Sequence, residues 1–188
     1  MAHSTREIEI KLAVPAAPAA RRMLRAAGFA VSRRRVFEAN TVFDTPELRL
    51  RAARCLLRVR RAGGVTTLTY KGPPETGKYK SREELEIVAG QAQALEAIVE
   101  RLGYQRAFRY EKYRTEFRQP RRAGLVTLDE TPVGVFLELE GTPAWIDRTA
   151  RRLGFAESSY LTASYGRVYL DWCAAHGREP GDMTFPKG

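Results

Sequence analysis

Near the N-terminus, Glu7, Glu9 and Lys11 alternate with Ile8, Ile10 and Leu12. In a β-strand that spacing puts two carboxylates and an ammonium on one face and the apolar residues on the other. The same grammar recurs along the chain. Arg58 and Arg60 oppose Leu57 and Val59, Lys71 is in phase with Thr67 and Thr69, and Arg82, Glu84 and Glu86 oppose Leu85 and Ile87. Further on, Lys112, Arg114 and Glu116 oppose Tyr113 and Phe117, Asp129 opposes Leu128, and Glu138 and Glu140 oppose Leu137 and Leu139. Arginine grips phosphate oxygens with a bidentate fork and lysine acts as a point charge. Carboxylates beside phosphate repel it unless a hard cation such as magnesium or manganese stands between them. Basic and acidic rows facing one cavity therefore point to a metal–polyphosphate complex. A nucleic-acid surface would instead interleave basic with aromatic residues and carry few carboxylates.

The elements that must position these rows are eight strand-like stretches. They cover 6–14, 33–45, 55–62, 65–72, 81–88, 109–118, 124–131 and 134–141, with Gly63-Gly64 closing a hairpin between the third and fourth. Helical spacing marks "APAARRMLRAAGF" up to Gly28, "AQALEAIVERLGY", "WIDRTARRLGF" and "SYGRVYLDWCAAH", and the tail from Arg178 is expected to be loop. A strand with paired charges followed by a helix ending in "AAGF", "RLGY" or "RLGF" hints at two similar halves. For any single strand, a charged face in water is the ordinary reading. Taken together the strands argue otherwise, because their polar faces are dominated by Arg and Glu and the helices need an apolar floor. If the sheet curls into a barrel with helices outside, the charged faces turn inward around water and a charged ligand. The fold class expected is α+β, an eight-stranded antiparallel β-barrel or tunnel.

The length of 188 residues and the 44% hydrophobic content suit one domain spanning 1–188, with 178–188 as its tail. The net charge of +10 favours an anionic partner. No apolar run approaches the roughly 20 residues of a membrane helix, and no signal-peptide core precedes the first strand, so the expected location is cytoplasmic with no membrane partner. Cys55 and Cys173 are read as reduced thiols, one of them buried in a strand, and the isolated His3 and His176 offer neither a zinc site nor histidine catalysis.

Ordered motifs sharpen this reading. "EIEIK" is similar to the Glu-x-Glu-x-Lys signature of the CYTH domain, the triphosphate tunnel metalloenzymes. "NTVFDTPELRL", "CLLRVR", "TLTYKGP", "SREELEI", "RYEKYRTEF", "VTLDETPVGVFLELEG" and "SYLTASY" continue the resemblance in order. The resemblance implies a small-molecule triphosphate bound in an eight-stranded tunnel with Mg2+ or Mn2+. Lys11, Arg58, Arg60, Lys71 and Arg114 would grip phosphates, joined by Arg82 and Lys112. Glu7, Glu9 and Glu140 would hold the metal and Glu138 would support it, while Glu84, Glu86 and Asp129 would serve a second metal or orient water. With Lys11, the four glutamates Glu7, Glu9, Glu138 and Glu140 form the expected catalytic set. The reaction implied is metal-assisted attack on phosphorus, by water in a triphosphatase or by a ribose hydroxyl in a class IV adenylate cyclase. A non-catalytic polyphosphate- or nucleotide-binding module is the remaining alternative, and a homodimer is left open.

One departure concerns the C-terminal segment, where relatives place a lysine and this chain offers Arg167 after Tyr165. The runs "RRR" at 33–35 and "RR" at 121–122 are expected to be a strand edge and a loop kept soluble by charge rather than a nucleic-acid contact. Asp44 of "FDTP" is expected to fold its own turn. Trp145, Tyr169 and Trp172 are expected to pack helices on the barrel rather than stack on a ligand ring. Lys78 and Lys80 fall in a loop that either guards a tunnel mouth or is simply solvated.

Overall fold

Inward and outward alternation is realised in eight strands of a computed structural model, which describes residues 3–121 and 123–186. The strands are β1 (His3–Val14), β2 (Ala30–Asp44), β3 (Leu56–Ala62), β4 (Val65–Lys71), β5 (Lys80–Ala89), β6 (Gln105–Arg118), β7 (Leu125–Thr131) and β8 (Gly134–Glu140). They form one closed antiparallel barrel in the order β1-β5-β4-β3-β2-β6-β7-β8. Exchanging β1 with β5, β2 with β6, β3 with β7 and β4 with β8 leaves that ring unchanged. The echo between the two halves of the sequence is therefore a pseudo-two-fold in the topology.

The hydrophobic core lies outside the barrel. Ile10, Leu12, Leu128, Leu137 and Leu139 on the outer faces of β1, β7 and β8 are covered by Leu24 of α1 (Ala17–Ala26) and by Trp145 and Ile146 of α4 (Pro143–Arg152). Leu95 and Val99 of α3 (Ala92–Arg101) cover Phe43 and Val59 in the same way. Burying each such side chain contributes about 1.5–3 kcal/mol, so the helices fix which face of the sheet points in. Helix ends follow local chemistry. Thr142 caps α4 by accepting the Trp145 N–H at 3.3 Å, Pro143 occupies the first turn, and Gly28 at φ 75° turns the chain out of α1.

At one mouth the barrel splays, and C-terminal segments fill the gaps. Leu161 exchanges two backbone hydrogen bonds with Lys11 beyond the end of β5. Met183 pairs with β6 beyond the end of β7, so the tail expected as a free loop is docked without regular secondary structure. Between these two segments α5 (Tyr165–Ala175) lies across the mouth, with Ser164 accepting the Arg167 N–H as its cap.

Several sequence expectations shift. β2 begins at Ala30 and carries register breaks between Val31 and Arg33 and between Arg33 and Val36. Arg33 and Arg35 sit on this bulged stretch and pair with Glu116 at 3.4 Å and Glu130 at 2.9 Å, which makes them surface ion pairs rather than a sheet edge. Arg121 lies in the β6–β7 turn, and Arg122 falls outside the described residues. The buried thiol is Cys173 on α5, not a strand cysteine, and Cys55 is half-buried just before β3. A short helix, α2 (Arg49–Ala52), also appears where a simple turn was expected. Asp44 accepts the backbone N–H groups of Thr45, Leu50 and Arg51, each at 2.8 Å, so it organises the β2–β3 connection as its turn chemistry predicts.

Candidate active site

The barrel encloses a cavity of about 1620 Å³ whose wall is built from the period-two polar faces. β1 contributes Glu7, Glu9 and Lys11, β3 contributes Arg58 and Arg60, and β5 contributes Arg82, Glu84 and Glu86. Lys71 of β4, Lys112 and Arg114 of β6 and Glu138 and Glu140 of β8 complete the ring. Asp129 lies behind Lys112 and Arg114 and is fully buried.

Three clusters organise these charges. In the first, Lys71 Nζ sits 2.6 Å from Glu7 and 3.0 Å from Glu84, and Arg82 Nε lies 3.5 Å from Glu7. Lys80 Nζ approaches Glu9 at 2.7 Å, and Lys11 Nζ bridges Glu9 and Glu138 at 3.1 Å each. In the second, Arg114 pairs with Asp129 at 2.5 Å and with Glu138, Lys112 reaches Asp129 at 2.8 Å, and the Tyr165 hydroxyl donates to Asp129 at 2.6 Å. In the third, Arg58 donates to the Tyr110 hydroxyl at 3.1 Å and to Thr69 at 3.2 Å, while Arg60 and Thr69 both bond Glu86.

For several of these groups burial opposes the charge, and neighbours decide the outcome. For Glu9, burial alone would raise the pKa, but Lys11, Lys80 and Lys71 hold it well below the usual carboxylate range. Glu138 is lowered likewise, against burial, by Lys11 and Arg114. Burial works against the charged form of Lys11 too, yet Glu9 and Glu138 raise its pKa above the usual lysine value. Lys80 goes the other way: burial and the adjacent Lys11 outweigh Glu9 and bring it to about 8. Glu38 is brought to about 2, against burial, by Lys112 and Arg114. Glu140 stands at the solvent-exposed end of β8, and partial desolvation with the charges of Glu7 and Glu9 pushes its carboxyl up to about 7.

The donor set for a divalent cation is therefore present in chemistry. Glu7, Glu9, Glu138 and Glu140 offer hard oxygens, and of these Glu140 has no ion pair among the described residues. Their mutual repulsion is the kind that a hard cation relieves. Among the described residues no three His, Cys, Asp or Glu side chains stand together in ligating geometry, and lysines hold Glu7 and Glu9.

Sequence reasoning did not find Glu38, Asn40, Tyr110 or Tyr165, and it placed Lys80 in a mouth loop rather than on the tunnel wall. Lys80 is in phase with Arg82 but lies one residue before the expected start of its strand. Glu38 and Asn40 face inward from β2, and Glu38 Oε2 and both amide atoms of Asn40 are buried without hydrogen-bond partners in the protein. Tyr110 is in phase with Lys112, so the period-two rule could have caught it. Lys78, by contrast, turns outward and clasps Asp147 at 3.0 Å and Glu157 at 2.7 Å. Arg167 is exposed at the rim and pairs with Asp171 at 2.9 Å, so it does not join the grip deep in the tunnel.

Comparison with known proteins agrees with this architecture. The CYTH domain profile matches residues 5–165. No curated protein matches the chain. A Vibrio parahaemolyticus protein provisionally named an adenylate cyclase is 21% identical, with a TM-score of 0.73 over 88% of this chain and 98% of that one. A Pyrococcus horikoshii protein is 24% identical, with a TM-score of 0.73 over 85% of this chain and 96% of that one. The third is a Hippeastrum protein provisionally named an adenylyl cyclase and described as having a dominant triphosphatase activity. It is 20% identical, with a TM-score of 0.62 over 93% of this chain and 97% of that one. At these identities the solved structures speak to the fold, and the profile match carries the assignment: the chain belongs to the CYTH domain family.

Proposed function

We propose that this protein is a divalent-metal-dependent triphosphatase that holds its substrate inside the barrel and hydrolyses the terminal phosphoanhydride. The observation carrying this reading is the convergence of Lys11, Arg58, Arg60, Lys71, Lys112 and Arg114 with the carboxylates Glu7, Glu9, Glu138 and Glu140 on the wall of one cavity. Glu7, Glu9, Glu138 and Glu140 would hold Mg2+ or Mn2+, which would supply Lewis-acid polarisation of the phosphoryl group under attack.

The protein's own residues do the rest. Lys71, Lys80 and Lys11 exchange carboxylate oxygens for phosphate oxygens, which frees Glu7 and Glu9 for the cation. Arg58 and Arg60 on one wall and Arg114 with Lys112 on the other clamp the chain of phosphates and stabilise charge on the equatorial oxygens. Glu84 and Glu86 stand on the same wall as Arg82, where they orient water. The closed barrel limits competing solvent around the reacting phosphorus.

The deciding assay supplies purified protein and Mg2+ or Mn2+ with tripolyphosphate, thiamine triphosphate and ATP in turn. Metal-dependent orthophosphate release is the expected result. Cyclic AMP with pyrophosphate from ATP would replace the hydrolase reading with an adenylate cyclase. Binding without turnover of any triphosphate would leave a polyphosphate-binding module.

A further inference from the structure

The loop at 72–79 joins two lysines of the tunnel wall, Lys71 at the end of β4 and Lys80 at the start of β5, and has no regular secondary structure. Pro73 and Pro74 remove two of its backbone donors. Its second end is the weakly supported one. Lys80 forms the last rung of β5 with Glu9 of β1, whereas the pairing of β5 with β4 stops at Glu84. Beyond Lys80 the same edge of β1 is taken over by Leu161, which pairs with Lys11.

A charged clasp outside the barrel holds that end. Tyr79 and Lys80 are consecutive, yet Lys80 lines the cavity while Tyr79 packs on the outer core. The Tyr79 hydroxyl donates to Asp147 of α4 at 2.9 Å, and Lys78 reaches the same carboxylate at 3.0 Å and Glu157 at 2.7 Å. The Tyr160 hydroxyl, one residue before Leu161, donates to the other Asp147 oxygen at 3.1 Å. Lys78 Nζ also lies 5.4 and 5.7 Å from the ring centroids of Tyr79 and Tyr160. Desolvation works against the Asp147 charge, but hydrogen bonds from Lys78, Tyr79 and Tyr160 hold its pKa below the usual value, so it clasps as an anion. None of Lys78, Tyr79, Asp147 and Tyr160 lines the cavity.

The geometry points to Asp147 as a positioning residue: through Tyr79 and Lys78 it fixes, from outside the barrel, the backbone that presents Lys80 to the tunnel. Lys80 Nζ stands 2.7 Å from Glu9, on the oxygen that also takes Lys11 at 3.1 Å. With its Cα fixed, Lys80 passes from Glu9 to a phosphate oxygen by turning its flexible stem alone. Released from the clasp, the same ammonium would be delivered by a loop that must first be ordered, which weakens binding. Lys11 needs no such device, because β1 is paired with β8 on its other side. The inference rests on the triphosphatase reading for the ligand that Lys80 meets, and it adds a residue that lies outside the site.

The test is a double-mutant cycle of Asp147→Asn with Lys80→Met, read as kcat and KM for the triphosphate that the wild type hydrolyses best, with thermal melting to confirm folding. Lys80→Met should raise KM roughly 10- to 150-fold, the loss of one charge-assisted hydrogen bond, with kcat changed less. Asp147→Asn should raise KM at least about 5-fold when Lys80 is present and less than about 2-fold in the Lys80→Met background, as expected of a residue acting through that lysine. Equal losses in the two backgrounds, no change in either, or an unchanged KM in Lys80→Met overturns the inference and leaves the hydrolase reading intact. Hydrogen exchange supplies an arm that needs no turnover: Asp147→Asn should speed exchange at 72–83 and leave β8 protected. If no triphosphate is hydrolysed, the hydrolase reading falls and this arm decides alone, with unchanged exchange at 72–83 overturning the clasp. Should Asp147→Asn fail to fold, Tyr79→Phe takes its place in both arms, since it keeps the ring on the core and loses only the bond to Asp147.

Discussion

Asp129→Asn tests whether the buried charges are as interdependent as their geometry implies. Asp129 is fully buried and is the common partner of Lys112, Arg114 and Tyr165. The isosteric amide keeps the volume but leaves two cations facing each other with one carboxylate fewer. Glu138 stays with Arg114, and Glu38 stays 3.7 Å from Lys112, so the cluster is weakened rather than emptied. Removing one partner of a buried ion pair costs about 3–5 kcal/mol. In a domain of this size each kcal/mol moves the melting temperature by about 2–4 °C, so the expected drop is about 6–20 °C. A polyanion in the tunnel supplies the missing negative charge. Tripolyphosphate should therefore raise the melting temperature of the variant by more than it raises that of the wild type. A ligand at a hundred times its Kd contributes about 2.7 kcal/mol, well within the range of a thermal-shift measurement. A drop under about 2 °C would refute the claim that these charges lean on Asp129. A rescue no larger than in the wild type would refute the claim that Lys112 and Arg114 meet phosphate.

Three further outcomes are expected. Glu9→Ala and Arg58→Ala should each lower kcat/KM for the preferred triphosphate by at least about 100-fold, the scale of losing one transition-state contact, with an unchanged far-ultraviolet circular dichroism spectrum. Gly124→Ala should destabilise the fold by more than about 2 kcal/mol in urea unfolding, because φ is 111° there and the added Cβ would lie 2.4 Å from the Trp145 ring. Glu38 titrates near 2 when folded, below its unfolded value of about 4.3, so its contribution of roughly 3 kcal/mol is complete above that unfolded value and is lost as pH falls toward 2. Urea unfolding of Glu38→Gln across this acid range should show a shallower loss of stability than the wild type, and parallel curves would remove Glu38 as the cause.

The register of the barrel was legible because side-chain direction in a strand is fixed at period two, and a helix needs an apolar floor. Glu7, Glu9 and Lys11 could be assigned to the inner wall only through that second condition, since one strand alone is ambiguous. β2 resisted the same treatment. Its register breaks near Arg33 shift the phase before Glu38 and Asn40 are reached, and apolar residues lie on both of its faces. The α2 turn was hidden for a different reason. Leu48 and Arg54 adopt left-handed φ values of 56° and 59°, which their residue types disfavour and which the surroundings of Asp44 impose. Asp129 was expected near a metal, whereas its oxygens are occupied by Lys112, Arg114 and Tyr165. Tyr165 arrives from a helix far along the chain, so no local pattern could have announced it. Tyr169, expected only to pack, belongs to the wall of the mouth as well.

The mixture of signs inside the barrel answers a problem that a purely basic tunnel would face. Burying several like charges is costly, and an all-cationic lumen would repel itself whenever it held no anion. Here Lys71 lies between Glu7 of β1 and Glu84 of β5, two strands that the pseudo-two-fold exchanges. Each half of the chain therefore supplies one carboxylate to the same ammonium. On the triphosphatase reading, a triphosphate that drew Lys71 away would leave Glu84 without its lysine and Glu7 with Arg82 alone, at 3.5 Å, and a divalent metal would restore the balance. Substrate and metal would then favour each other's binding, since each would remove the counter-charge that the other must displace. Tripolyphosphate affinity should consequently rise with Mg2+ in the wild type and depend on it far less in Glu7→Gln, where one of the stranded carboxylates is gone.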